Sequence, residues 1–177
     1  KILFMFRFFK KNRKYSKLIC YDFESKKLSE IKLNDLVSHY CWVTDNIVVV
    51  FGRIKNIDGI HFFKCKKNKW QHLSSEIIPK NFGGGDTHPI SPNSDLLILD
   101  SYPDIRGLQY LYKFNIKHKD FKILDKVFHP LKYRADKRVD LHPKLCTQKR
   151  NLIAIDTVNN NKREIYFYNY EKSYKND

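Results

Sequence analysis

The sequence lacks the features that mark several large classes of protein. Its four cysteines, Cys20, Cys41, Cys65 and Cys146, form no CxxC pair and no dense framework, which argues against a zinc ribbon and against a disulfide-stapled secreted mini-domain. No run approaches the roughly 18 to 20 uninterrupted apolar residues that a membrane-spanning helix requires. Apolar residues alternate or run together instead of recurring at intervals of three and four, so no amphipathic helix is predicted.

The composition nevertheless indicates a folded protein. With 42% hydrophobic and 15% aromatic residues among 177, the chain has enough apolar surface for one ordinary domain. Lys1 is not an initiator methionine, and Ile2 to Phe9 resembles the middle of a strand. We therefore expect the chain to begin inside a larger protein, and the compartment stays open because no signal segment can be expected in such a piece.

The chain is strongly basic, with a formal net charge of +15. Clustered lysines are the usual footprint of a nucleic-acid-binding surface. Here the lysines are spread along nearly every loop and mixed with asparagine and isoleucine, which resembles the codon bias of an AT-rich genome. An acidic glycan is therefore favoured over nucleic acid as the partner.

One order of parts recurs along the chain. A polar turn ending in His88-Pro89 precedes a Ser-Pro-Asn-Ser-Asp turn and the aliphatic run that ends at Asp100. The same order returns from His142-Pro143 to Asp156, and a weaker copy starts at His39. Aligning the three histidines aligns the strands that follow, at separations of 49 and 54 residues.

This repeat predicts an all-β fold and a β-propeller fragment. Four short strands in roughly 45 to 55 residues are typical of one propeller blade, whereas a β-sandwich would not repeat His-Pro at the same place. We expect a single partial domain over residues 1–177, of about three and a half blades from a ring of about seven. The blade parts are predicted at 1–34, 35–80, 81–135 and 136–177, and the remaining blades would be further parts of the same protein.

Several of these motifs together resemble the β-propeller polysaccharide lyases of the ulvan lyase and oligogalacturonate lyase type, and related propellers of bacterial polysaccharide loci. The motifs are Asp86-Thr87-His88-Pro89, Ser91-Pro92, Asp100-Ser101-Tyr102-Pro103-Asp104 with Arg106, Arg138-Val139-Asp140-Leu141-His142-Pro143, Arg163-Glu164-Ile165-Tyr166 and Ser38-His39-Tyr40-Cys41-Trp42.

The resemblance implies cleavage of a uronic-acid glycan by β-elimination. That reaction needs a positive group on the uronate carboxylate, a base for the neighbouring proton and an acid for the leaving oxygen. It also implies that these groups lie near a central channel, often with a bound metal. The loops that carry His39, His88 and His142 would converge there.

The candidate site residues follow from that resemblance. His39, His88, Arg106 and Tyr102 are the catalytic candidates. Arg106, Arg138 and Tyr40 are the candidates for substrate binding, since a guanidinium pairs bidentately with a carboxylate. A divalent metal, zinc or manganese, would be held by His39, His88, His142 and Cys41.

Alternative interpretations stay open for each of these residues. The histidines could cap turns of the blade repeat, and the arginines could pair with Asp104 and Asp140. Asp86 and Asp140, two residues before their histidines, could orient metal-bound imidazoles or merely cap turns. The tyrosines could serve only in packing.

A non-catalytic propeller that binds a glycan or another protein is the alternative function. Phe6 favours it, because lyases of this type have a histidine there, and Ile90 favours it where relatives carry an aromatic residue. The Gly83-Gly84-Gly85 run lacks the Lys-Ser/Thr and the helix of a phosphate-binding loop, so we expect a flexible connection between blades.

Overall fold

A computed structural model of the chain describes residues 1–33, 36–133, 135–146, 149 and 151–171. Within these residues the structure consists of strands, two short 3-10 turns at Lys80–Phe82 and Ala135–Lys137, and loops. The strands are β1 (Ile2–Lys10), β2 (Arg13–Asp22), β3 (Lys27–Ile31), β4 (Val37–Thr44), β5 (Ile47–Ile54), β6 (Ile57–Lys66), β7 (Lys69–Glu76), β8 (Ile90–Asn93), β9 (Leu96–Asp100), β10 (Leu108–Asn115), β11 (Asp120–Phe128), β12 (Lys144–Leu145), β13 (Leu152–Asn159) and β14 (Lys162–Asn169).

The strands form four antiparallel sheets in which chain order and sheet order coincide. The sheets are β1-β2-β3, β4-β5-β6-β7, β8-β9-β10-β11 and β12-β13-β14. The prediction of an all-β fold is therefore confirmed. The predicted boundary between the first two blades falls on residues 34 and 35, which lie outside the described residues.

Four of the two-residue turns between paired strands share one conformation. Both turn residues have positive φ, between 45° and 64°, which is the conformation of the type I′ turn that matches the twist of paired strands. Asparagine tolerates this left-handed conformation better than most residues. The turns are Lys11-Asn12, Lys55-Asn56, Lys67-Asn68 and Asn160-Asn161.

The chain divides into two compact units, Lys1–Ile77 and Ile78–Asp177. In the first unit a core forms between the two sheets. Leu18 from β2 and Val48 and Val50 from β5 are fully buried there, and Tyr40 and Trp42 pack at its margin. Buried and half-buried residues alternate along β2, so one face of that strand lies in the core.

The second unit has its own core between its two sheets. Ile98 on β9, Leu111 on β10 and Ile153 on β13 are fully buried in it. Leu141 joins this cluster from the loop before β12 and is also fully buried. Packing of Leu141 in this core thus fixes the loop that carries His142.

No helix in the described parts of the chain has the length and apolar character needed to cross a membrane.

Candidate functional site

The loop leading to His88 approaches the rest of the second unit closely. Gly85 has a φ of 80°, and a Cβ atom there would collide with the ring of Tyr102. The backbone N–H of Tyr102 donates to the carbonyl oxygen of Gly84 at 2.9 Å. Thr87 and Pro89, on either side of the histidine, are buried. The glycine run therefore serves close approach as well as a change of direction.

A buried carboxylate, that of Asp100 at the end of β9, organises the two His-Pro segments. Its side chain is 1% exposed. It accepts hydrogen bonds from the backbone N–H of His88 at 2.7 Å and from the backbone N–H of His142 at 3.0 Å. The Nδ1 atom of His88 also donates to it, at 2.9 Å. In a neutral imidazole this places the lone pair of His88 on Nε2, where a metal ion can take it.

The segment from Arg138 to His142 is held by a second set of contacts. The side chain of Gln109, which is 1% exposed, donates to the carbonyl oxygen of Val139 at 3.0 Å. The backbone N–H of Val139 donates to Nε2 of His129 at 3.1 Å. The carbonyl oxygen of Leu141 accepts from the backbone N–H of Asp156 at 2.8 Å. These contacts fix the backbone from which Asp140 and His142 project.

His88, Asp140 and His142 form a group that could hold a metal ion. One donor atom from each lies within 4.8 Å of the other two. The rings of His88 and His142 are 3.9 Å apart between centroids, at an angle of 73°. Burial lowers the pKa of His142, and nearby His88 lowers it further, which favours the neutral imidazole that a metal requires.

The backbone of His142 is itself unusual. Its φ is 39°, in the left-handed region that non-glycine residues seldom adopt and that is often strained. Pro143 follows and is buried, so the fixed proline ring and the hydrogen bond to Asp100 hold the histidine in this conformation. His142 is therefore the member of the group whose backbone is strained.

A cavity of about 390 Å³ lies against this group. Asp140 and His142 form one part of its wall, and the ion-pairing side chain of Arg138 lies beside them. Acidic and basic side chains from the two long strands of the last sheet also line it, namely Asp156, Arg163 and Glu164. The cavity therefore presents both a possible cation site and a guanidinium.

Arg138, a predicted substrate-binding residue, is held on two sides. Its guanidinium donates to both carboxylate oxygens of Asp140, through Nη2 at 2.9 Å and through Nε. The same guanidinium stacks on the ring of Tyr102 at 3.6 Å.

The hydroxyl of Tyr102 donates to Asp86 at 3.5 Å, and burial raises the tyrosine's pKa. Tyr102 lines a separate cavity of about 400 Å³ with His129 and Tyr133.

Arg106, a predicted catalytic and binding residue, lies in an ion pair within its own loop. Its guanidinium contacts Asp104 at 2.8 Å and donates to the hydroxyl of Tyr110 at 2.7 Å, while its side chain is 66% exposed. Burial alone would raise the pKa of Asp104. Donation from the backbone N–H of Leu108 and from Arg106 instead lowers it to about 2. Asp104 thus accepts hydrogen bonds from the backbone of its own loop, and Arg106 neutralises its charge.

The remaining predicted residues lie in the first unit, on β4. His39 and Cys41 are half-buried within this strand, so His39 is a strand residue there and not a loop residue. Tyr40 donates its hydroxyl to the carbonyl oxygen of Leu3 at 3.3 Å and packs on the core. Burial raises the pKa of Cys41 to about 12, which disfavours the thiolate that zinc prefers. A metal role for His39 and Cys41 stays a prediction.

Sequence reasoning missed Asp100 as the partner of the histidines. The signal was present, because an aspartate directly follows both aliphatic runs that come after a His-Pro segment, at Asp100 and at Asp156. Asp156 lies 3.9 Å from Nδ1 of His142. The third copy ends in Gly52 instead. The repeat therefore pairs a histidine with an aspartate about a dozen residues later in two copies of the three.

Comparison with solved structures identifies the fold. TolB from Acinetobacter baumannii is similar with a TM-score of 0.57 and 14% identity, over 97% of this chain and 39% of that one. A protein from Lactobacillus plantarum is similar with a TM-score of 0.48 and 13% identity, over 93% of this chain and 50% of that one. No family model matches the sequence, and no curated protein matches it.

The fold and the sheets together define the class of protein. Four antiparallel sheets with sequential strands and the likeness to TolB show a fragment of a β-propeller, as the repeat predicted. At 14% identity the likeness shows the fold alone. The chain spans well under half the length of the TolB structure.

Proposed function

We propose that this β-propeller holds a divalent cation with His88, Asp140 and His142 and binds a uronic-acid-containing glycan beside it. The observation that carries the proposal is the convergence of these donor atoms within 4.8 Å of one another. Two imidazoles and a carboxylate suit zinc, and manganese accepts the same donors together with water. When bound, the cation would supply positive charge for a glycan carboxylate.

The residues of the chain would prepare this site in two ways. Asp100 orients His88 so that Nε2 faces away from the buried carboxylate, and its hydrogen bond to the backbone of His142 sets the second imidazole. Arg138 holds Asp140 through both oxygens. Asp156 and Glu164 bring the carboxylates on the cavity wall to three, against two guanidiniums, and this net negative charge favours cation binding before the anionic glycan arrives.

Cleavage of the glycan by β-elimination is the finer form of this proposal. His142 is the candidate base for this reaction. It lies on the cavity wall, and its lowered pKa keeps the imidazole neutral and able to accept a proton. His142 serves either as this base or as a ligand, and not as both at once. Tyr102, whose raised pKa keeps it protonated, is the candidate acid, and Arg138 stands between its cavity and that of His142.

A non-catalytic glycan-binding platform is the second candidate. It is favoured by the ion pairs of both predicted clamp residues, since Arg106 already pairs with Asp104 and Arg138 with Asp140. A guanidinium that stays paired with an internal carboxylate neutralises a uronate carboxylate less fully, and elimination requires that neutralisation whereas binding does not. Such a platform would bind acidic glycan without changing it.

Metal binding is tested by isothermal titration of the intact chain with zinc and with manganese. We expect one site, and we expect His88→Ala and His142→Ala each to weaken it by at least about 100-fold. His118→Ala, on an exposed turn, is the matched control and should bind like the wild type. Unchanged binding in both site variants would refute the proposed cation site.

Glycan binding and turnover are tested with polygalacturonate, using neutral dextran as the control polymer. Cation-dependent binding of polygalacturonate supports the proposal, and no binding with the cation present overturns it. A product with the ultraviolet absorbance of an unsaturated uronate assigns a lyase, whereas binding without that product assigns a platform. Binding that falls steeply with salt and ignores the cation would instead indicate a non-specific polyanion surface.

A further inference from the structure

Two histidines flank one serine on the second sheet of the first unit. Nδ1 of His61 lies 2.7 Å from the hydroxyl oxygen of Ser75, and Nε2 of His72 lies 2.9 Å from the same oxygen. His61 is on β6, and Ser75 and His72 are on β7. Two imidazoles therefore converge on a single hydroxyl in a part of the molecule that the proposed cation site does not include.

A β-bulge makes this arrangement possible. Residues three apart on a regular strand face opposite sides of the sheet. Between β6 and β7 the register shifts, so that His61 pairs with Ser75 while Phe63 pairs with His72. The extra residue, Leu73, brings His72 and Ser75 to the same face. The bulge thus aims both side chains at the position of His61.

The hydrogen bonds assign the protons. Nε2 of His61 lies 3.1 Å from the carbonyl oxygen of Gly52, and a carbonyl only accepts, so Nε2 of His61 carries the hydrogen. In the neutral ring Nδ1 then accepts the proton of the Ser75 hydroxyl. Because the serine has only that one proton, Nε2 of His72 must donate to its oxygen.

These roles are those of an activated nucleophile. His61 is a base oriented by a fixed carbonyl, which is the part that a carboxylate plays in a serine triad. His72 donates to the oxygen on which negative charge develops as the proton leaves. His61 is 1% exposed while Ser75 is open to solvent, so a sheltered base serves an accessible hydroxyl.

We propose that Ser75 is a nucleophile, with His61 as its general base and His72 as the donor to its oxygen, and that it takes the acyl group of an ester. The bond between Oγ of Ser75 and the acyl carbon forms, and the serine proton moves to Nδ1 of His61. The bond to the ester's alkoxy oxygen breaks, and that oxygen leaves with the proton. Water then attacks the acyl carbon while His61 takes its proton, and His61 returns a proton to Oγ of Ser75 as the bond between Oγ and the acyl carbon breaks.

The first test is covalent labelling of the intact chain with phenylmethylsulfonyl fluoride, located by mass spectrometry. Oγ of Ser75 bonds to sulfur, the sulfur–fluorine bond breaks, and His61 takes the proton as fluoride leaves. We expect Ser75 to be labelled at least about 100-fold faster than Ser25, an exposed serine whose oxygen accepts a hydrogen bond from Asn68. Equal labelling of the two serines, or no labelling of Ser75, overturns the proposal.

The second test is the pH dependence of that labelling. Burial lowers the pKa of His61 and His72 lowers it further, while the hydrogen bond to the Gly52 carbonyl and the charge of Asp58 oppose the shift. The rate at Ser75 should therefore rise with pH through a midpoint below about 6.5. His72→Ala should slow labelling and move that midpoint to higher pH, because the imidazole that lowers the pKa of His61 is gone. Ser75→Ala should abolish labelling at this position. A rate that only follows the ionisation of a free serine would overturn the role of His61.

The third test is turnover of p-nitrophenyl acetate. Release of nitrophenol by the wild type, and its loss in Ser75→Ala but not in Ser25→Ala, supports acyl transfer. Release that persists in Ser75→Ala refutes it. None of these outcomes depends on zinc or on an acidic glycan, so they are independent of the function proposed for the His88 site.

Discussion

The two His-Pro segments of the second unit share a sequence pattern and differ in how firmly they are held. The side chain of His88 is 12% exposed and meets Asp100, 1% exposed, at 2.9 Å. The side chain of His142 is 44% exposed and meets Asp156, 41% exposed, at 3.9 Å. One copy of the repeat therefore anchors the site, and the other presents a histidine to the cavity.

The difference arises from where the aspartate lies. Asp100 ends β9, a strand whose last four residues are buried, so its charge must be satisfied by the N–H groups around it. Asp156 lies within β13 beside an open cavity and can be solvated. Aspartate at the same place in the repeat is thus buried and structural at Asp100, whereas at Asp156 it lines a cavity.

The largest expected effect comes from deleting the buried member of this pair. Asp100→Ala leaves two backbone N–H groups and Nδ1 of His88 without their acceptor, which should cost about 3–5 kcal/mol of unfolding free energy. Asp156→Ala should change it by about 0.5 kcal/mol or less. Urea denaturation of the two variants, with unchanged m-values, measures both. Equal losses would mean that the two aspartates have equivalent roles.

The histidines themselves give the next comparison. His88→Ala removes a hydrogen bond to a buried carboxylate and should cost about 2 kcal/mol, whereas His142→Ala should cost about 0.5 kcal/mol or less. Thermal or urea unfolding without added metal measures the difference. A larger loss at His142 would contradict the assignment of His88 as the anchoring copy.

The backbone of His142 gives a smaller effect of opposite sign. Because φ is 39° at this position, glycine should be tolerated there better than alanine. His142→Gly should be more stable than His142→Ala by about 1 kcal/mol. The same exchange at His118, whose φ is not in the left-handed region, should favour alanine or be neutral. Alanine as the more stable residue at position 142 would show that the strain is absent.

The smallest expected effect is a pH dependence at the open copy. The pKa of His142 is lowered in the folded state, so the unfolded chain binds the proton more readily. His142 should therefore contribute full stability above about pH 6.5 and lose part of it as pH falls towards the folded value. The difference in unfolding free energy between wild type and His142→Ala, followed across this range, isolates the effect. A difference that rises as pH falls would reverse the sign and exclude the lowered pKa.

The sequence predicted the strands well because their cause is local. Val48 to Val50 and Leu97 to Leu99 are buried aliphatic runs, and their short length beside asparagine-containing turns is typical of buried strands. The predicted blade repeat needed only the spacing of His39, His88 and His142. These features depend on neighbours within one strand or one turn.

The arrangement of the site could be predicted only in part because it depends on distant residues. That Asp100 receives the backbone N–H of His142, 42 positions later, follows from the packing of two sheets and not from either motif. The engagement of Arg138 by both Asp140 and Tyr102 is likewise a matter of tertiary contact. The bulge at Leu73 leaves no mark in the sequence pattern.

The agreement of chain order with sheet order has a consequence for how the protein is made. Each strand pairs with its neighbour in sequence, and type I′ turns close four of the pairs, so contacts within a sheet are local and should form rapidly. During synthesis, each sheet can close as soon as its last strand has left the ribosome. The carboxylate of Asp100 accepts a hydrogen bond from the backbone of His142, which is synthesised 42 residues later. Its set of hydrogen bonds is therefore completed late in the folding of the second unit.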